Sequence, residues 1–105
     1  MIVLASPLYY WTITDRIKAF IERTYAFEWR SKSLKKESAL LMTAAQDSFW
    51  TFEQAVSYYQ INCIKFMKQQ GKGMILAGNC CGVTGKRQIA NTGYLEPAYQ
   101  FGKSL

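Results

Sequence analysis

MIVLASPLYYWTITDRIKAFIERTY, residues 1–25, decides the fold. Its first residues, Ile2, Val3, Leu4 and Ala5, form an apolar run of strand length. A loop of Ser6, Pro7, Leu8, Tyr9, Tyr10 and Trp11 follows, and then a segment with helical periodicity. The same strand, loop and helix order recurs along the chain. Short apolar runs alternating with helical periods predict a parallel sheet covered by helices, and ligands of such sheets sit beyond the carboxyl ends of the strands. The Ser6–Trp11 loop therefore falls on the functional edge.

Working outward, the first helix is expected to start near Thr14, with Thr12 and Asp15 spaced as a capping pair. Ile17, Phe20, Ile21, Thr24 and Phe27 recur at steps of three and four and predict its sheet-facing side. The polar stretch 28–37 returns the chain to the other end of the sheet. A second strand is expected within 38–44, built on Ala39, Leu40, Leu41 and Met42, and Gln46, Asp47 and Ser48 supply turn chemistry after it. Phe52, Val56, Tyr59, Cys63, Phe66 and Met67 form a long helical stripe that should end near Gln70, with Gly71 as the left-handed stop. Met74, Ile75, Leu76 and Ala77 make a third strand over 73–78. After a loop over 79–91, Asn91 or Thr92 is placed to cap a last helix that carries Pro97 in its first turn and Leu95, Tyr99 and Phe101 as core contacts.

Composition narrows the function classes. The 105 residues suit one domain, and half of them are apolar, enough for a core. The formal charge of +6 is partly gathered at Arg30, Lys32, Lys35 and Lys36, a solvated connection with no nucleic-acid-binding motif beside it. No apolar run reaches membrane-spanning length and no signal peptide leads the chain, so a cytoplasmic, non-membrane protein is expected. Cys63, Cys80 and Cys81 form no CxxC pair, and the chain has no histidine, which argues against metal centres and His-dependent triads. The sequence Gly85-Lys86-Arg87 lacks the spacing of a nucleotide phosphate loop. Vicinal Cys80 and Cys81 read as a small buried hydrophobe and a loop thiol rather than a reactive pair.

LASPLYYWTITDRIKAFIERTY, residues 4–25, resembles the third strand, flavin-side loop and following helix of the flavodoxin-like NAD(P)H-dependent FMN reductases, including their iron–sulfur flavoprotein branch. Ser6, Pro7, Tyr9 or Tyr10, Trp11, Lys18, Ala19, Phe20, Ile21, Glu22 and Arg23 carry the match, and LEPAYQFGKSL at 95–105 is similar to the family's last helix. The resemblance implies an α/β, three-layer αβα domain of flavodoxin type, of which residues 1–105 are a truncated C-terminal portion with about three parallel strands and three helices. It implies FMN as cofactor, NAD(P)H as electron donor and a small-molecule electron acceptor. The cofactor-binding residues it implies are Ser6, Pro7, Leu8, Tyr9, Tyr10 and Trp11, with Thr43, Ala44 and Ala45 as the second wall.

Those residue types suit a flat isoalloxazine, which needs aromatic surface for its faces and backbone groups for its pyrimidine edge. They suit equally a hydrophobic cluster closing the sheet end, and Thr43–Ala45 suit an ordinary turn. The family's phosphate-binding loop precedes its third strand, so the resemblance implies weak FMN binding or none by this chain alone. The iron–sulfur branch's cysteine series is missing from these residues, and no cluster is carried over. The alternative is a catalytically silent remnant acting as an oligomeric interaction module. In the family's strand order the third strand is internal, so Ile2–Ala5 is expected to pair with a second copy or with a separate N-terminal partner.

Overall fold

A computed structural model describes residues 1–28, 36–80 and 89–105. Strands β1 (Ile2–Pro7), β2 (Glu37–Thr43) and β3 (Gln70–Ala77) form one parallel sheet in the order β1-β2-β3. Helix α1 (Asp15–Glu28) links the first two strands, and α2 (Glu53–Tyr59) continues as a π-helical segment over Gln60–Phe66 before β3. A 3₁₀ turn (Ile89–Asn91) leads into α3 (Leu95–Ser104). The protein is thus α/β, with three parallel strands and three helices, as the alternation of apolar runs and helical periods predicts.

The sheet divides the structure into layers because successive strand residues point to opposite faces. Leu4 pairs with Leu40 and Leu40 with Met74, which places them on one face, where Leu4, Leu40 and Met42 join Ile13, Ile21, Ala55, Tyr59, Cys63 and Met67 in the core. The hydroxyls of Ser38 and Tyr59 share a buried hydrogen bond of 2.8 Å that ties α2 to the middle strand. On the other face, α3 covers β3: a Cβ at Gly73 would stand 2.8 Å from the Phe101 ring. Gly73 has a φ of 136° and lies beside the irregular pairing at Ser38/Ala39, so the absent side chain admits both the twist and the close aromatic.

Four features of the elements differ from the sequence-based expectation. β1 runs through Ser6 and Pro7, which were expected in the loop, because both pair with β2, opposite Met42 and Thr43. The second helix stops before Gln70: Lys68, with φ 54°, makes the left-handed turn expected of Gly71, and β3 starts at Gln70. Phe66 is 53 % exposed, because the π segment is wider than an α-helix and keeps Tyr59, Cys63 and Met67, four apart, on the inner face. At the C-terminal helix, Thr92 donates to Ile89 O and closes the 3₁₀ turn rather than capping α3.

Several expected core contacts also lie outward. Ile17, Ile21 and Thr24 of α1 face inward, whereas Phe20 and Phe27 are exposed, as are Leu95 and Tyr99 of α3. On the outer face of β1, Ala5 and Pro7 border a hollow beneath α3, and Val3 is left 43 % exposed. Arg30, Lys32 and Lys35, like Cys81, Gly82, Gly85, Lys86 and Arg87, lie outside the described residues. Among the described residues no helix is long and apolar enough to cross a membrane.

Candidate functional site

The loop after β1 is a tight hairpin. Tyr9 and Thr12 exchange both backbone hydrogen bonds, at 3.2 and 3.1 Å, and the intervening Tyr10 and Trp11 have φ values of 47° and 59°. Positive φ at both central positions defines a primed turn, in which Asn and Gly are favoured and bulky aromatics are strained. Such strain concentrates where a surface is held for use. Tyr10, 91 % exposed, stands at the tip with its ring edge-on to Trp11 at 6.5 Å. Replacing Tyr10 by Gly is expected to raise stability by about 1 kcal/mol through relief of the left-handed strain, read as a higher urea midpoint at unchanged slope.

Opposite this turn lies the loop after β2. Leu8 donates its N–H to Thr43 O at 2.8 Å, and Ala44 donates to Ala77 O at 2.8 Å, so all three strand ends are laced together. Ser48 N–H donates to the buried Thr51 hydroxyl at 2.8 Å, which folds the loop back on itself. Asp47 packs against Gly78 so closely that a Cβ there would collide with its side chain. Between the two loops is a cleft of about 410 Å³ lined by Leu8, Tyr9, Tyr10, Trp11, Ala44, Ala45, Gln46 and Thr51. Among the described residues, the backbone N–H groups of Ala45 and Gln46 have no partner.

Of the residues singled out from the sequence, Leu8, Tyr9, Tyr10, Trp11, Ala44 and Ala45 come together on this cleft. Ser6 is buried behind it; its hydroxyl accepts the Thr14 N–H at 3.0 Å and donates to Pro7 O at 2.7 Å, holding the start of α1 against the strand. Pro7 and Thr43, paired across β1 and β2, line a separate hollow of about 380 Å³ beneath α3. Gln46, expected as a turn residue, and Thr51, which no sequence pattern singles out, are walls of the cleft. Trp50 was not singled out, although its ring lies 5.4 Å from that of Trp11 at 36°. A pair of aromatics, Phe49 and Trp50, after the turn beyond a strand end was the signal available for it.

Other chemistry is weakly represented. Burial pushes the Cys63 thiol up to about 11, so it is a core residue and not a nucleophile. The Cys80 thiol donates to Ala77 O and Gly78 O at 3.1 and 3.3 Å, closing the turn after β3. Among the described residues no group of His, Cys, Asp or Glu could hold a metal ion.

Fold and site together define an α/β protein with an aromatic cleft at the carboxyl edge of a parallel sheet. No family model, curated protein or solved structure matches the chain.

Proposed function

We propose that the cleft between Leu8–Trp11 and Ala44–Gln46 receives the isoalloxazine of FMN, and that the protein belongs to an FMN-dependent NAD(P)H oxidoreductase. The observation that carries this reading is the cleft itself. Its volume is in the range of small-molecule sites, its wall is aromatic, and the free Ala45 and Gln46 N–H groups can meet the carbonyls of a pyrimidine edge. When bound, FMN would supply hydride transfer between NAD(P)H and a small acceptor. The chain's own part is to stack on the ring and orient it, with Tyr9, Tyr10 and Trp11 on one side and the Ala44–Gln46 backbone on the other. No acid or base is assigned.

Phosphate binding is a different matter. Helix N-termini attract anions, but α1 and α2 both begin with a carboxylate, Asp15 and Glu53. With neither of these helix starts suited to the phosphate, FMN should bind mainly through its ring, with a dissociation constant on the order of tens of micromolar or poorer, about 6 kcal/mol or less. Titration of flavin fluorescence tests this. Stoichiometric FMN retained through gel filtration would contradict the weak-binding geometry, and no binding at millimolar protein would end the flavin reading.

A second reading, an oligomeric interaction module, is supported by β1. Among the described residues this strand pairs only with β2, and its free edge carries Ile2, Val3, Leu4 and Ala5 without a charge to blunt it. Pairing with the same strand of a second copy, or with a separate N-terminal partner, would satisfy the edge and cover Val3. Light scattering at micromolar concentration should report a dimer or larger species that Val3→Lys dissociates. A monomeric wild-type protein would defeat this arrangement.

A further inference from the structure

A second groove of about 690 Å³ shares Trp11 with the cleft and adds Trp50 to its wall. Trp11, Trp50, Tyr58 and Ile61 give it an aromatic and aliphatic wall. Its polar lining comes from α2 and the segment that continues it, and among the described residues Glu53 is the only charged side chain in the lining. That is unusual in a chain with a formal charge of +6. Indole and phenol faces carry negative electrostatic potential, and a carboxylate beside them adds to it. Glu22 of α1 contributes in the same direction, since with burial its charge raises the Tyr58 pKa.

We propose that this groove is a binding site for an organic cation, an alkylated or quaternary ammonium whose positive centre sits between the Trp50 ring and the Glu53 carboxylate. The aromatic faces replace water around the alkyl groups and are attracted to the charge, and Glu53 neutralises it without demanding a directed hydrogen bond. An anionic ligand would meet Glu53 with no basic group among the described lining residues to offset it. The site is independent of the flavin reading: Trp50 and Glu53 line this groove and not the cleft, and only Trp11 is shared.

A charge series on one ring tests the inference. Benzyltrimethylammonium, benzyl alcohol and benzoate would each be titrated into the full chain at low salt while the indole N–H resonances are followed. The cation is expected to shift the Trp50 resonance with a dissociation constant on the order of a millimolar, about fivefold or more tighter than the alcohol, with benzoate weakest. Added salt should weaken the cation and leave the alcohol unaffected. Glu53→Gln, a change at an exposed position, should remove both the preference and the salt dependence, and Trp50→Ala should weaken the cation about tenfold. Equal binding of the three probes, or an unchanged preference in Glu53→Gln, would overturn the proposal. Neither result would decide the FMN reading, which has its own flavin titration.

Discussion

Leu40→Ala is expected to lower the unfolding free energy by about 3 kcal/mol or more. Leu40 is fully buried on the middle strand, paired with Leu4 on one side and Met74 on the other, and belongs to the cluster that α1 and α2 cover. Removing its branched end leaves a cavity lined by the sheet and both helices, and a central strand anchored on two sides can collapse only partly into it. A three-stranded sheet in a chain this short has little stability to spare. Phe66→Ala is the contrasting case. It deletes a larger side chain, but one that is half exposed on the outer side of the π segment, so its cost should stay below about 1 kcal/mol. Urea midpoints compared at equal slope would decide the matter, and equal destabilisation by the two substitutions would place the core elsewhere. Should Leu40→Ala fail to fold, Leu40→Val offers the same comparison at about 1 kcal/mol.

Trp11→Ala is expected to weaken FMN binding about tenfold, a loss of about 1.4 kcal/mol. The indole is a wall of the cleft and is held by its contact with Trp50 and by the hairpin through Tyr9 and Thr12. Truncation removes a ring face for stacking and also frees the turn that presents it. Lys72→Ala is the control, since Lys72 pairs with Glu37 at 3.1 Å at the opposite end of the sheet. Equal loss of affinity in the Trp11 and Lys72 variants would argue against the assigned cleft. Tyr10→Gly separates the two roles of the hairpin further, because it should gain stability while losing part of the same aromatic wall.

The layered α/β architecture was legible because it follows from local pattern. The apolar runs 2–5, 39–42 and 74–77 are too short for helices that cover a core and too continuous for one-sided strands, and helical periods lie between them, which makes the strands parallel. The positions of Leu8–Trp11, Ala44 and Ala45 at one edge follow from the same logic, since every loop after a parallel strand emerges on that edge. What required the tertiary structure was non-local. The widened π segment that turns Phe66 outward depends on how the helix meets the sheet and α1, not on a 3.6-residue period. The early start of β3 depends on pairing with β2, whose free hydrogen-bonding groups outweigh the preference of Gly71 and Gly73 for turns. The meeting of Trp50 with Trp11 joins loops 39 residues apart in sequence, and the left-handed Tyr10 and Trp11 persist against their own propensity because the paired bonds of Tyr9 and Thr12 hold them there.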